Sequence, residues 1–209
     1  MHISRRTALG SLGAAGSAIL LLPGPALGQL RRTPNAILGP FSPNAKPAEQ
    51  DADLSLVKGR RAQGQLVEIS GRVLDLRGRP VPRARVEIWQ ANAAGRYAHP
   101  ADSNAAPIDP NFQGFGWLSS DRLGRYRFLS VKPGAYPDPS GALRPPHIHL
   151  EVRSQGSRLV TQMLFPGEPL NDTDRVLANV DRKRLTAAAL GQSADGARRL
   201  GWDIILDLG

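Results

Sequence analysis

The fold class is indicated by the stretch LVEISGRVL (residues 66–74), a turn rich in Gly and Pro over residues 75–82, and the stretch ARVEIW (residues 84–89). Both stretches are rich in Val and Ile. Polar and apolar residues alternate in the second stretch, which is typical of a strand with one buried face. Two strands joined by a short turn predict a β-hairpin.

Strand patterns continue toward the C-terminus. They occur at residues 124–128, 147–152, 159–165 and 202–208. Asn171 and Asp172 are placed to cap a helix over residues 173–190 that is broken midway. Two irregular stretches rich in Pro and Gly, residues 91–116 and 134–146, separate the strands, and long loops of this kind are often functional. The pattern predicts an all-β domain, an antiparallel sandwich or barrel with one late helix.

The first residues have the features of an export signal. Arg5 and Arg6 give a positive start, an apolar stretch follows over residues 8–22, and small residues at 26–28 form a plausible cleavage site. The arginine pair resembles a twin-arginine signal, although a general secretory signal stays open. The apolar stretch is shorter than the roughly 20 residues that span a bilayer. We therefore predict export to the periplasm or beyond, and no stable membrane anchor.

The mature chain is predicted to contain one domain. Residues 1–28 are assigned to the export signal, residues 29–58 to an extended N-terminal arm rich in Pro, Asn and Ala, and residues 59–209 to the β domain. A chain of 209 residues forms one good core more readily than two.

Composition excludes several kinds of site. The chain has no cysteine, so a metal ion would need nitrogen or oxygen ligands, and thiolate chemistry is excluded. The net charge is +9, but the basic residues are scattered with little aromatic interleaving. This distribution predicts a solvated surface and no nucleic-acid partner.

Two histidines form a candidate metal site. His147 and His149 lie two residues apart in a predicted strand, so their side chains share one face. A pair of surface or core histidines is the simple alternative. Glu151 shares the same face and leaves open a site of two His and one carboxylate for Fe(II).

The stretch from residue 71 to residue 165 resembles the intradiol ring-cleavage dioxygenases, especially the iron-bearing chain of the protocatechuate 3,4-dioxygenases. Several blocks match in order. They are GRVLD (71–75), PVP (80–82), VEIWQANAAGRY (86–97), APIDPNF (106–112), KPGAYP (132–137), RPPHIH (144–149) and TQMLF (161–165). The resemblance implies an all-β fold with an antiparallel β-sandwich core and long active-site loops.

The same resemblance implies a ferric ion, Fe(3+), bound by two phenolates and two imidazoles. The implied ligands are Tyr97, Tyr136, His147 and His149. Two phenolates would offset much of the charge of a trivalent ion inside a protein. The implied partners are a small aromatic diol and O2, with ring opening between the two hydroxylated carbons.

The resemblance also implies roles beyond metal binding. Tyr136 would be the ligand that substrate displaces and would accept a proton, Arg144 would place positive charge beside the reacting ring, and Gln162 would line the oxygen pocket. Asp138 stands where the protocatechuate enzymes usually have Trp, and Leu164 where they usually have Tyr, so the particular catechol is not assigned.

An exported β-sandwich binding module without catalytic activity is the alternative from another class of protein. Strand-turn-strand patterns such as residues 71–89 also occur in such modules, which would not need the tyrosines. Tyr126 lies in a strand pattern and is interpreted as a packing residue. Assembly into a homo-oligomer is left open by the sequence.

Overall fold

A computed structural model describes residues 29–43, 46 and 48–209. The predicted export signal, residues 1–28, lies outside the described residues. Within them the regular structure is almost entirely strand. The strands are β1 Leu56–Val57, β2 Arg60–Arg61, β3 Leu66–Asp75, β4 Arg85–Trp89, β5 Phe115–Ser119, β6 Arg125–Val131, β7 Tyr136–Pro137, β8 Leu143–Arg144, β9 His147–Ser154, β10 Ser157–Leu164, β11 Ala188–Gln192, β12 Arg198–Gly201 and β13 Ile204–Leu206.

Two sheets form the body of the domain. One has the order β10-β9-β4-β5 and is antiparallel throughout. The other has the order β11-β12-β3-β13, and β6 also pairs with β3. Apolar side chains from both sheets form one buried core, with Ile69 and Phe128 from the second sheet and Ile88 and Leu150 from the first. The predicted all-β sandwich is therefore confirmed.

Successive side chains of β9 point to opposite faces of the sheet. One set packs in the core, and the other set contains the two histidines of the candidate metal site. Ile148, Leu150 and Val152 belong to the main core cluster. His147 and His149, which alternate with them, point to the opposite face of the sheet and are also buried, each 1% exposed. The predicted shared face of the two histidines follows directly from this period of two.

The predicted hairpin over residues 66–89 is wrong. The turn does fold back, because Leu74 bridges Pro80 and Val81 N donates to Val73 O at 2.9 Å. After the turn, β4 does not pair with β3. It belongs to the other sheet, where it pairs with β5 and β9. Pro80 and Pro82 lack the N–H groups that a continued ladder would need, and Arg83 takes a positive φ of 57°.

The predicted helix over residues 173–190 is also wrong in most of its length. It is replaced by a 3₁₀ turn at Arg175–Leu177, the short helix α1 at Arg182–Leu185 and the strand β11. Leu177 and Leu185 are completely buried, so the segment is shaped by anchoring them in the core. The alanine-rich end favours helix only weakly, and pairing of β11 with β12 overrides that preference.

Sheet pairing differs from the prediction in one respect. Both β12 and β13 run parallel to β3, whereas a wholly antiparallel core was expected. The predicted closing strand over residues 202–208 is shorter, and the sequence did not predict β1, β2, β5, β7, β8, β11 and β12.

The arm residues 29–43 form neither helix nor strand and lie along the domain. Leu30 N donates to Leu76 O at 2.8 Å and Ala36 N donates to Val160 O at 2.9 Å. Among the described residues, no helix has the length and apolar character to cross a membrane.

Candidate metal centre

Four side chains from three parts of the fold converge at one buried point. Tyr97 comes from the long loop after β4, Tyr136 from β7, and His147 and His149 from β9. The Tyr97 Oη lies 3.4 Å from the Tyr136 Oη, which lies 3.1 Å from His147 Nε2. His147 Nε2 lies 3.2 Å from His149 Nε2. The structure thus brings together all four residues that the family resemblance implied as ligands.

Hydrogen bonds orient the side chain of His147 and fix the backbone of Tyr97. His147 Nδ1 donates to Pro145 O at 2.7 Å. A carbonyl oxygen can only accept, so the proton sits on Nδ1 and the lone pair of Nε2 faces the centre. Tyr97 N donates to the carboxylate of Asp102 at 2.7 Å, which anchors the loop that carries the phenol.

Aromatic side chains pack against His149 and Tyr97. The indole of Trp89 stacks on His149, with ring centroids 5.1 Å apart and planes 7° from parallel. Phe41, from the N-terminal arm, packs on Tyr97 with centroids 4.8 Å apart. The arm therefore forms one wall of the centre.

Gly39 explains how the arm comes so close. A Cβ atom at this position would lie 2.8 Å from His149 Cε1, and its φ of +78° belongs to the region that favours glycine. Any side chain here would push the arm away from the imidazole.

When no cation is present, burial keeps the two phenols and two imidazoles of the centre uncharged. Burial raises the pKa of Tyr97 well above its ordinary value, and the neighbouring Tyr136 raises it further. It likewise raises the pKa of Tyr136. Burial, with the nearby charge of Arg144, lowers the pKa of His149 to about 3 and that of His147 well below its ordinary value. Two neutral phenols and two neutral imidazoles thus face one another.

A buried arginine completes the surroundings. Arg144 Nη1 lies 3.1 Å from His147 Nε2, and Nη2 donates to Gln162 Oε1 at 2.8 Å and to Asp174 Oδ2 at 2.9 Å. Burial alone would lower the pKa of Arg144, but the hydrogen bond to Asp174 and the charges nearby raise it. Arg144 therefore lies beside the converging atoms, and Gln162 is hydrogen-bonded to Arg144.

The donor set fits a metal ion. Ligand atoms lie about 2.0–2.1 Å from a bound metal ion, so two ligands at roughly right angles are about 3 Å apart. The separations between the four donor atoms here, 3.1–3.4 Å, are close to that value. Two phenols that ionise beside a cation would supply two negative charges and hard oxygen ligands, which suit trivalent iron.

A carboxylate site receives no support. Glu151 lies further along β9 and bonds instead to Arg158, with Nη2 to Oε2 at 2.9 Å, and to Arg153. Within residues 29–43, 46 and 48–209, no group of three or more His, Cys, Asp and Glu side chains could hold a metal ion. These contacts disfavour the Fe(II) alternative built on His147, His149 and Glu151.

The two departures from the family pattern have local explanations. Asp138 accepts hydrogen bonds from Ser140 N at 2.8 Å and Ala142 N at 3.1 Å, so it shapes the turn between β7 and β8. Leu164 is completely buried and belongs to the main core cluster. Tyr126 donates to Trp202 O at 2.6 Å, which agrees with its interpretation as a packing residue.

The sequence did not predict three contacts at the centre: the ion pair of Asp174 with Arg144, the stacking of Trp89 on His149 and the packing of Phe41 on Tyr97. Asp174 caps the 3₁₀ turn by accepting from Val176 N at 3.1 Å. Asp174 could have been recognised as a cap from its position just before this turn. The sequence instead led us to assign the helix cap to Asn171 and Asp172.

Fold and site together define a class: all-β proteins in which two Tyr and two His side chains converge beside a buried arginine. A family model described as Dioxygenase matches residues 37–208, more than half of the chain. The chain belongs to this family, the intradiol ring-cleaving dioxygenases, and the resemblance predicted from the sequence is confirmed. The family uses non-haem iron and acts on aromatic diols with O2.

Curated relatives and solved structures agree. The chain is 44% identical over 169 residues to the protocatechuate 3,4-dioxygenase beta chain of Burkholderia cepacia, covering 77% of this chain and 72% of that one. It is 32% identical over 183 residues to a hydroxyquinol 1,2-dioxygenase of Rhizobium sp. (strain MTP-10005), covering 80% of this chain but only 59% of that protein.

Among solved structures, the dioxygenase domain of a dioxygenase carbohydrate-binding protein fusion from Streptomyces sp. SirexAA-E matches with a TM-score of 0.67 and 26% identity. The match covers 86% of this chain and 100% of that one. The 3-chlorocatechol 1,2-dioxygenase of Rhodococcus opacus 1CP matches with a TM-score of 0.70 at 23% identity, over 85% of this chain and 73% of that one, and shows likeness of fold.

Proposed function

We propose that this chain is a ferric dioxygenase that inserts both atoms of O2 into a catechol-type aromatic diol. The ring is cleaved between the two hydroxylated carbons, which gives a cis,cis-muconate-type product. The observation that carries the proposal is the convergence of Tyr97 Oη, Tyr136 Oη, His147 Nε2 and His149 Nε2, with separations of 3.1–3.4 Å. Family membership supports it independently.

Tyr97, Tyr136, His147 and His149 are the proposed holders of Fe(3+). An ion held there would supply the positive charge that attracts the oxygens of a diol. The two imidazoles stay neutral because burial and the charge of Arg144 lower their pKa values. Proton release on metal binding therefore comes from the phenols.

Tyr136 is proposed to accept a proton from a substrate hydroxyl. Burial raises the pKa of its phenol, so a Tyr136 oxygen that is not bound to a cation would hold a proton firmly. Arg144 is proposed to stabilise negative charge that develops on the ring, because its guanidinium is buried and fixed by Gln162 and Asp174. Gln162 orients that guanidinium and is itself held by its Nε2, which donates to Ile37 O at 3.1 Å.

The test is the purified, iron-loaded protein. We expect about one iron per chain and a red colour from charge transfer between tyrosinate and ferric iron. Anaerobic addition of a panel of catechols should shift the visible band, and admission of O2 should give a product opened between the hydroxylated carbons. A colourless iron-loaded protein would refute the four-residue site, and products opened beside the diol would refute the intradiol reaction.

The same experiment distinguishes the proposed enzyme from a noncatalytic binding module. Such a module has no use for two phenols buried against two imidazoles, and it would bind no stoichiometric iron. Protein that is folded, free of iron after growth in iron-rich medium and inert toward all catechols would favour it.

We also propose that residues 1–28 direct export, by the twin-arginine route. Arg5 and Arg6 carry this proposal, and their replacement by lysine should retain the protein in the cytoplasm. Cell fractionation of the tagged protein measures the distribution. Normal export of the double variant would exclude this route, and size-exclusion chromatography of the exported protein would decide whether it is a homo-oligomer.

A further inference from the structure

A chain of hydrogen bonds joins the N-terminal arm to the guanidinium beside the candidate metal centre. Ile37 O accepts from Gln162 Nε2 at 3.1 Å, and Gln162 Oε1 accepts from Arg144 Nη2 at 2.8 Å. Gln162 is completely buried and Arg144 is 4% exposed. Arg144 Nη1 in turn lies 3.1 Å from His147 Nε2. The amide of Gln162 is thus held at both ends, and the position of the Ile37 carbonyl affects where the guanidinium lies.

The arm also contacts the imidazole of His149. A Cβ atom at Gly39 would lie 2.8 Å from His149 Cε1, so the backbone of the arm lies against the edge of the ring. Burial lowers the pKa of His149, and the backbone of Ile37 opposes this shift. Among the described residues, however, His149 Nδ1 has no hydrogen bond of good geometry, whereas that of His147 is paired. His149 is therefore held mainly by packing, with Trp89 on one face and the arm at one edge.

Just before these contacts, hydrogen bonds anchor the arm to both sheets. Thr33 is 4% exposed and is paired with Ile205 of β13. Its N donates to Ile205 O at 3.0 Å, and its Oγ1 accepts from Ile205 N at 2.8 Å. Thr161 Oγ1, from β10 in the other sheet, donates to Pro34 O at 2.8 Å. Loss of either hydroxyl would leave a backbone group without its partner and weaken the attachment of the arm.

We propose that Thr33 and Thr161 are positioning residues for the metal centre. Their hydroxyls fix the start of the arm, and the arm in turn fixes Gln162, Arg144 and the imidazole of His149. The proposal rests on the proposed function, since it takes the four converging side chains as ligands of iron. A loosened arm should loosen those ligands while both sheets stay folded, because a segment can open locally without global unfolding.

The test compares the iron-loaded protein with its Thr33→Val variant, which replaces the hydroxyl by a methyl group of similar size. Hydrogen exchange followed by mass spectrometry should be faster over residues 34–41. Release of iron to an excess of chelator should be roughly tenfold faster, the lower end of the effect that loss of an orienting partner has on metal sites. The visible band should shift as well. Thr33→Ser keeps the hydroxyl and should restore the unaltered values.

Two further variants separate positioning from simple loss of stability. Tyr126→Phe removes a buried hydrogen bond that does not involve the arm, and should lower Tm without changing iron release or the visible band. Thr161→Val removes the hydrogen bond to Pro34 O and should act as Thr33→Val does. This second arm variant keeps the proposal testable if Thr33→Val fails to fold.

Three outcomes would overturn the proposal. They are faster exchange of the arm in Thr33→Val with unchanged iron release and visible band, equally accelerated iron release in Tyr126→Phe, and failure of Thr33→Ser to restore the unaltered values. A red protein that cleaves catechol, and whose two arm variants hold iron as the unaltered protein does, refutes the positioning role alone. A folded chain that takes up no iron refutes the proposed function and this role with it.

Discussion

Arg144 Nη2 lies 2.9 Å from Asp174 Oδ2, and the two side chains are only 5% and 2% exposed. An ion pair so deeply buried stabilises little by itself, but removal of one partner leaves an uncompensated charge. Here the pair also determines where the guanidinium points, since the same Nη2 donates to Gln162 at 2.8 Å. Asp174 is therefore a positioning residue for Arg144.

The variant Asp174→Asn tests this role. We expect kcat to fall roughly 10–100-fold, the range typical for partners that orient a site, while KM and iron content change little. Asp174→Glu should restore part of kcat because it restores the charge. Steady-state kinetics with catechol and iron analysis make the measurement. An unchanged kcat, or a loss of iron equal to the loss of kcat, would contradict the positioning role.

Glu151 gives a second prediction, which separates the two metal sites that the sequence left open. Its carboxylate is bound by Arg153 and Arg158, further along β9 than His147 and His149. Glu151→Gln should therefore keep the iron content and the visible band, whereas His149→Gln should lose both. Metal analysis and absorption spectra of the two variants decide the matter. Loss of iron from Glu151→Gln would restore the Fe(II) alternative.

The sequence predicted the parts of the centre that depend on local periodicity or on matching blocks. Alternation in β9 was enough to place His147 and His149 on one face. Tyr97 and Tyr136 lie in irregular segments without periodicity, so only the family blocks identified them. Local pattern alone would have left both tyrosines as packing residues.

The unpredicted parts depend on contacts between residues far apart in the sequence. Asp174 lies 30 residues from Arg144, and their pairing depends on a 3₁₀ turn that was interpreted as a longer helix. The parallel pairing of β13 with β3 joins the end of the chain to its first long strand. Residue propensity and alternation do not indicate which strand pairs with which. The sequence therefore did not predict that β13 pairs with β3, or that β4 pairs with β5 and β9 in the other sheet.

Tyr126 gives a prediction that contrasts with the ligand tyrosines. Its phenol donates to Trp202 O at 2.6 Å and is buried against the core. Tyr126→Phe should lower the free energy of unfolding by about 1–3 kcal/mol, because it leaves a buried carbonyl unpaired. Iron content and colour should not change. Tyr97→Phe is the matched comparison and should shift the visible band strongly. Loss of colour from Tyr126→Phe would show that the two tyrosines had been assigned wrongly.

The ion pairs of Glu68 predict how stability depends on pH. The hydrogen bond from Arg127, with Arg199 nearby, holds the pKa of this carboxyl below its ordinary value despite burial. A lowered pKa in the folded state means that the contribution to stability is complete above the ordinary pKa of Glu and is lost as the pH falls through the lowered value. Glu68→Gln should therefore reduce Tm at pH 7, and the difference should shrink toward pH 3. A constant difference would exclude the ion pairs as its cause.

Proton release on iron binding tests the state of the ligands. Burial raises the pKa of Tyr97 and of Tyr136 above the ordinary value, so both phenols are protonated at neutral pH before the ion arrives. Both imidazoles are already neutral there, because burial lowers their pKa values. Loading the iron-free protein should therefore release at least two protons, and the affinity should rise as the pH rises. Calorimetry in buffers of different ionisation enthalpy counts the protons. Tyr97→Phe should release one fewer, and release of no proton by the unaltered protein would mean that the phenols do not bind the metal.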